Sequence, residues 1–343
     1  MAKQEPVSAM SSTATSTIEG LRQIWQRVLQ LPAIDPEDNF FDLGGDSVLA
    51  VQMFAEIAEV YGRQLPPVMI YHVPTIAALA AVVEHPTQPH LSPLVLLKDG
   101  TEQRPVFILP GLGGGPAEFF HLVKYMQNES VIYGLQPKGM DGMDEPAETI
   151  EEMAEFYLRA IRHIQPRGPY TLIGYSLGGL VALEIAQRLT ANGQKVAMLI
   201  MLDSYPHISC LSAEQRIRLM ARRTQNRISA ATRSFMGRTV AIPGRNTLDP
   251  EQAAAFAPAF DRVRHCAFLA LQRYRPRHYS GRIRFVRAGI VTDFPEDPAA
   301  FWGRLAAEFK VESVPGDHLG MLTTHHQSLG AVLTRYLDEP AAE

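Results

Sequence analysis

Two serines stand apart in this chain because each sits in a setting that changes what a hydroxyl can do. Ser176 is the centre of Gly174-Tyr-Ser-Leu-Gly178, preceded by the apolar run Tyr170–Ile173 and followed by the helical pattern Leu180–Leu189. Strand, sharp turn and helix in that order lift a serine hydroxyl out at the strand's end and leave the next amide, that of Leu177, free to stabilise an oxyanion. A bare G-x-S-x-G string arises by chance, and it is these flanks that make Ser176 a nucleophile. Ser47 closes the string Asn39-Phe-Phe-Asp-Leu-Gly-Gly-Asp-Ser and opens a helical pattern running to about Val60, with Val48, Val51, Phe54 and Ile57 on its inner face. In that first turn the hydroxyl is exposed, and the helix N-terminus favours an anion, such as a phosphodiester, bonded to the oxygen. The plainer reading makes Ser47 an N-cap, a position where serine is common.

A serine is a weak nucleophile until a base takes its proton. In the chain order that the elbow implies, the base comes late. His318, in Gly316-Asp-His-Leu-Gly320 after the strand pattern Val311–Val314, meets that requirement, whereas His325 and His326 fall where a final helix starts and read as surface or cap residues. Two acids could orient the ring: Asp203 directly after Val196–Leu202, and Asp293 after the next strand. The glycine-rich turn Pro110-Gly-Leu112-Gly-Gly-Gly115, after Val106–Leu109, offers a second oxyanion donor in the amide of Leu112 or of Gly113. A dinucleotide-binding loop is excluded there, because the third glycine of G-x-G-x-x-G would fall on Pro116.

The Leu-Gly-Gly-x-Ser core around Ser47 strongly resembles the attachment motif of acyl and peptidyl carrier domains, over about residues 15–85. That resemblance implies a small four-helix bundle holding 4'-phosphopantetheine covalently on Ser47. Residues 92–343 resemble the thioesterase domains that end nonribosomal peptide synthetases. These are α/β-hydrolases in which the acid follows the earlier strand and a helical lid separates it from the histidine. This likeness favours Asp203, 27 residues beyond Ser176 (203 − 176), over Asp293. The implied roles are Ser176 nucleophile, His318 base, Asp203 acid, and Leu177 and Leu112 oxyanion donors.

The elements that must position these residues are legible in the periodicities. Ile18, Leu21, Trp25, Val28 and Leu29 recur at helical spacing over Thr15–Leu31, and Thr75 caps a short helix Ile76–Val83. The proline-dense stretch 86–93 reads as a linker between the carrier segment 15–85 and a hydrolase segment 94–343, with residues 1–14 expected to be a disordered tail. Beyond the linker, the strand patterns Leu94–Leu97, Val106–Leu109, Val131–Leu135, Tyr170–Ile173, Val196–Leu202, Ile283–Val286 and Val311–Val314 alternate with helices, one opened by Thr149 and Glu152 as a capping box. Nearly all-apolar strands between helices predict a mostly parallel sheet covered on both faces. Residues 207–275 lack strands but hold helix starts at Ser212 and at Asp249-Pro250, which predicts a helical lid. The predicted fold class is therefore α/β, an α/β-hydrolase with a helical lid insertion behind a small four-helix-bundle carrier domain.

Composition narrows the rest. At 46% hydrophobic and 20% charged over 343 residues, a buried core forms without disulfides. Cys210 and Cys266 have no partner at metal-ligand spacing, so no metal site is expected. Residues 1–85 carry ten acidic against four basic residues, net −6, leaving +2 for residues 86–343 out of the chain's −4. Between residues 208 and 248, Arg216, Arg218, Arg222, Arg223, Arg227, Arg233, Arg238 and Arg245 face only Glu214. Such a run is usually a solvated face, with attraction of the acidic segment as the sharper alternative. No signal-like or membrane-length apolar run occurs, so a cytoplasmic monomer engaging neither membrane nor nucleic acid is expected. The expected function is release of a carrier-bound acyl or peptidyl thioester, by hydrolysis or macrocyclisation. The implied partners are upstream synthetase modules of condensation/adenylation or ketosynthase type and a phosphopantetheinyl transferase. The alternatives are a polyketide or hybrid line, and a non-catalytic carrier or docking module, against which the set Ser176, Asp203 and His318 argues. A stand-alone esterase would have no use for Ser47.

Overall fold

The computed structural model of the chain describes residues 8–85, 91–222, 224, 250–290 and 294–339. Its contacts divide it into two units, the first comprising residues 1–92, 140–144 and 246–260 and the second the remainder.

The first unit is helical where the sequence alternates apolar residues at three and four positions. It contains α1 (Ser8–Leu29), α2 (Ser47–Tyr61), a 3-10 turn (Pro67–Tyr71) and α3 (Ile76–Glu84). Helix α1 starts at Ser8, so the expected disordered tail gives up residues 8–14 to the helix. The run Ser-Ala-Met-Ser-Ser-Thr-Ala shows no apolar stripe, yet it contains nothing that breaks a helix. The 3-10 turn, with Pro67 at its first position, supplies the fourth helical piece. Trp25, Phe40, Phe54 and Leu21 are fully buried, with Trp25 edge-on to Phe40 at 5.1 Å between centroids. On α2 the buried stripe is Ala50, Met53, Phe54 and Ile57, while Val48 and Val51 are half-buried. The helix is therefore rotated toward the Met53 side relative to the expected face.

The second unit is a seven-stranded sheet. In chain order its strands are β1 (Leu94–Lys98), β2 (Glu102–Leu109), β3 (Ser130–Leu135), β4 (Tyr170–Tyr175), β5 (Val196–Leu202), β6 (Tyr279–Ala288) and β7 (Ala306–Val314). Their spatial order is β1-β3-β2-β4-β5-β6-β7, with β1 antiparallel to β3 and every other pairing parallel. All seven expected strands are present. Strands β6 and β7 start earlier than the apolar runs indicated, because their first residues include exposed and half-buried polar ones that break the apolar run. Period-two alternation splits the strand residues between two cores. Phe107, Leu109, Leu172 and Met201 face one side with α5 (Ile150–Ile164) and α6 (Leu177–Ala191), whereas Val106, Ile108, Ile173 and Ile200 face the other with α4 (Phe120–Val123). This is the α/β-hydrolase arrangement.

Capping follows the sequence closely, with one refinement. Thr149 caps α5 through the Glu152 amide (3.1 Å), but the Glu152 carboxylate reaches back to the Glu148 amide (2.9 Å) rather than to Thr149. Of the 207–275 insertion, the described parts include a 3-10 turn (Ile208–Cys210), a helix over residues 213–222, opened by a reciprocal Ser212–Gln215 capping box, and α7 (Pro250–Arg273). Leu211, Leu219, Ala267 and Ala270 join the core cluster that also contains Leu177. Among the described residues no helix is long and apolar enough to cross a membrane, and no His, Cys, Asp or Glu cluster could hold a metal ion.

The chain's two tryptophans fall one in each unit, Trp25 in the first and Trp302 in the second. Trp25→Ala empties a buried indole site and is expected to cost ~3–5 kcal/mol of local stability. Hydrogen exchange should show faster exchange across α1–α3, with the β4 and β5 amides keeping wild-type protection.

Candidate active site

Strand β4 ends at Tyr175 and α6 begins at Leu177, so the turn between them is a single residue. That residue, Ser176, adopts φ 52° and ψ −118°, in a region costing non-glycine residues about 1–3 kcal/mol. Two conditions hold it there. The Ser176 amide donates to the Leu202 carbonyl at the end of β5 (2.8 Å). The start of α6 also lies so close to β2 that a Cβ on Gly178 would overlap the Leu109 and Pro110 carbonyls, so only glycine fits. Buried Leu180, Val181, Leu183, Ile185 and Leu189 on α6 each contribute ~1.5–3 kcal/mol, so a pair of them offsets the strain. The Ser176 side chain makes no cap hydrogen bond and is half-buried.

Asp203 follows β5 immediately and is the second strained residue, at φ 45°. Its amide donates to the Val286 carbonyl of β6 (2.7 Å), and its Oδ1 accepts from the Ala288 amide (3.2 Å). Its other oxygen, Oδ2, lies 2.7 Å from His318 Nδ1. The buried carboxylate is thus held on both oxygens, and the Nδ1 contact assigns the ring proton to that nitrogen, leaving Nε2 as the basic one. His318 arrives from the loop after β7. Tyr175 stacks on the ring at 4.8 Å, Phe294 tilts against it at 4.7 Å, and the Tyr175 hydroxyl donates to the His318 carbonyl (2.8 Å). Burial, followed by the charges of Glu118, Asp203 and Asp317, pushes the Tyr175 hydroxyl far above its ordinary range, so it remains a donor. Parallel pairing from β4 through β7 thus brings together Asp203 and His318, 115 positions apart. Asp293, the alternative acid, lies outside the described residues.

The glycine loop after β2 turns back through a Gly114 amide to Gly111 carbonyl bond (3.1 Å). The amides of Leu112 and Leu177 donate to no protein group among the described residues. A cleft lined by Pro110, Gly111, Gly113, Leu177, Val263 and Ala267 opens beside them. His325 sits at the N-cap position of the last helix, His326–Leu337, and makes no cap bond, and the His326 ring lies against Tyr125. The sequence reading missed Tyr175, Phe294 and Glu118. Tyr175 adjoins Ser176 in the sequence and was the most legible of the three, whereas Phe294 is brought in only by the tertiary fold.

In the helical unit Ser47 is the first residue of α2 and is exposed. Asp46 is the N-cap, its Oδ1 accepting from the Val48 (2.9 Å) and Leu49 (2.8 Å) amides. The cap role that competed for Ser47 is therefore taken by its neighbour. Gly44 permits the preceding turn, at φ 92°. An exposed hydroxyl on a helix N-terminus suits a covalently bound phosphate ester. Arg223, Arg227, Arg233, Arg238 and Arg245 lie outside the described residues. Of the described arginines of that run, Arg218 pairs with Glu214 and Arg222 lies 3.7 Å from Glu296.

Comparison with known proteins agrees with both halves. Residues 104–338 match the family described as the thioesterase domain, and residues 19–83 match the phosphopantetheine attachment site. A dimodular nonribosomal peptide synthase of Bacillus subtilis (strain 168) is 38% identical over 190 residues, covering 55% of this chain and 8% of the synthase. The chain thus spans under a tenth of that relative's length. A NocB thioesterase domain, solved as a covalent complex with a fluorophosphonate nocardicin G analog, superposes with TM-score 0.50 at 26% identity, over 70% of this chain and 96% of that one. A four-domain nonribosomal peptide synthetase bound to AMP and glycine shares the fold over 99% of this chain and 27% of its own, with TM-score 0.60 at 22% identity.

Gly178→Ala is expected to remove activity while leaving the protein expressed, since the elbow must open to admit the methyl group. A fluorophosphonate probe is expected to label the wild type at Ser176 and this variant at least about tenfold more slowly, given what a misplaced reactive group costs.

Proposed function

Because the chain belongs to the thioesterase domain family and carries a phosphopantetheine attachment domain ahead of it, we propose that it releases a carrier-bound acyl or peptidyl chain with Ser176 as nucleophile. The observation that carries this reading is the strained, uncapped Ser176, next in sequence to the Tyr175 ring that stacks on the Asp203-paired His318, in one chain with an exposed Ser47 at a helix N-terminus. The prosthetic arm, when attached at Ser47, supplies a thiol on which the acyl chain is held as a thioester.

The protein's own groups do the rest. His318 Nε2 takes the Ser176 proton, and the alkoxide attacks the thioester carbonyl. Asp203 holds the ring in the tautomer this requires and stabilises the positive charge it gains. The Leu177 and Leu112 amides hold the oxyanion, each worth roughly 2.7–4 kcal/mol in comparable sites. Collapse expels the thiolate, which takes the proton from His318 and leaves an ester on Ser176. Water, or a nucleophile within the chain itself, then attacks that ester with His318 again as base, freeing the product and the hydroxyl. The likeness to a peptide synthase supports peptidyl substrates delivered by upstream synthetase modules, with a phosphopantetheinyl transferase loading Ser47.

Ser47→Ala should abolish the mass gain after incubation with a phosphopantetheinyl transferase and acyl-coenzyme A, while Ser176→Ala should load fully and release nothing. Turnover by Ser176→Ala at the wild-type rate would sink the assignment. Asp203→Asn keeps the shape but favours the wrong tautomer, so its kcat on a simple acyl thioester should fall by roughly 10³–10⁴-fold.

A further inference from the structure

Glu118 sits beside the site but takes no part in the relay above. It belongs to the 3-10 turn Pro116–Phe119, just after the glycine triplet 113–115. Its Oε1 lies against Gly114 so closely that a Cβ there would overlap it, and the Gly111 amide hydrogen-bonds the carboxylate. The other oxygen, Oε2, is fully buried without a hydrogen-bond partner. Burial pushes the carboxyl up to about 7, against the opposing pull of the Gly111 amide and of positive charge on His318. A half-satisfied buried carboxylate under a catalytic loop costs stability, and such perturbed groups concentrate where chemistry is done.

The groups around it bear this out. The 3-10 turn packs against β1, β3, the helix Phe120–Val123 and the helix Gly320–Thr323, whose titratable residues are Lys98, Tyr133 and His121. The Lys98 amine is taken up by the Met126 (2.6 Å) and Asn128 (2.5 Å) carbonyls. Across the loop, Arg264 lies against Gly113 with its guanidinium 2.9 Å from Asp261. From β4, Tyr175 feels the Glu118 charge but stays neutral. The charge that acts on Glu118 is that of His318.

We propose that Glu118 is a positioning residue of the acyl-transfer site: it braces the Gly111–Gly115 turn through the Gly111 amide and sets a negative charge near the positive charge His318 acquires on taking the Ser176 proton. This rests on Ser176 and His318 being nucleophile and base. Glu118 neither touches the reacting atoms nor accepts the proton; it acts through the loop and the ring.

The test follows hydrolysis of an acyl N-acetylcysteamine thioester by the full chain, comparing wild type with Glu118→Gln and Glu118→Ala between about pH 5 and about pH 9. Glutamine keeps an acceptor for the Gly111 amide and removes the charge. At alkaline pH, kcat of Glu118→Gln should be about tenfold below wild type with KM little changed, the equivalent of one pKa unit of charge interaction. As pH falls through about 7, wild-type Glu118 protonates and the ratio of wild type to Glu118→Gln should shrink toward one. Glu118→Ala loses the brace as well and should be slower still at every pH. Stability moves the opposite way. A carboxyl raised on folding contributes stability below its ordinary value of 4.5 that is lost as pH rises through about 7, so Glu118→Gln should melt higher than wild type only on the alkaline side. A pH-independent ratio, or wild-type kcat in Glu118→Gln throughout, overturns the proposal. Ser176→Ala, assayed alongside, separates the failures: if it still turns over, the parent reading falls, and if it is dead while Glu118→Gln matches wild type, only the role of Glu118 falls.

Discussion

The one-residue turn between β4 and α6 constrains everything else in the hydrolase unit. A strand and a helix joined by Ser176 alone can meet only if the serine accepts a left-handed backbone and if no side chain intervenes where α6 crosses the ends of β2 and β4. The turn is unfavourable by itself and survives because α6 buries nearly every residue of its inner face between the sheet and α5. Core packing thus maintains a half-buried, uncapped hydroxyl at the C-terminal end of a central strand.

Asp203 repeats the same solution one strand over. It too is strained, and it too is tied to its neighbour, accepting from Ala288 at the end of β6 while its own amide reaches Val286. Parallel register sets the ends of β4, β5 and β6 side by side, so both strained residues point out of the same edge of the sheet. His318 is less constrained by its backbone and is instead held by contacts: Asp203 at Nδ1, Tyr175 and Phe294 against its faces, and the Tyr175 hydroxyl on its carbonyl. The proposed base sits on the loop, which suits a group that must exchange protons, while the proposed nucleophile and acid follow strand ends directly.

The helical unit uses a different device for its serine. There is no strain at Ser47; exposure comes from Asp46 occupying the cap, which leaves the hydroxyl at the first helical position without a protein partner among the described residues. One serine is made available by forced backbone geometry and the other by a neighbour that takes its place.

Both serines, the late histidine, the strands and the alternation of strands with helices were legible in the sequence, because each depends on local spacing: glycines two residues either side of Ser176, apolar runs of strand length, a glycine pair before a helix. The start of α1 and the rotation of α2 were not legible, since a small-residue run and a helix rich in apolar positions carry no clear stripe. The choice between acids was left open by spacing, as an aspartate follows each of two successive strands, Asp203 at once and Asp293 further on. The partnership of Asp203 with His318, the ring contacts of Tyr175 and Phe294, and the buried Glu118 beneath the glycine loop were decided only by tertiary structure. They join residues far apart in the chain, and sheet register, not neighbouring sequence, sets which of them meet.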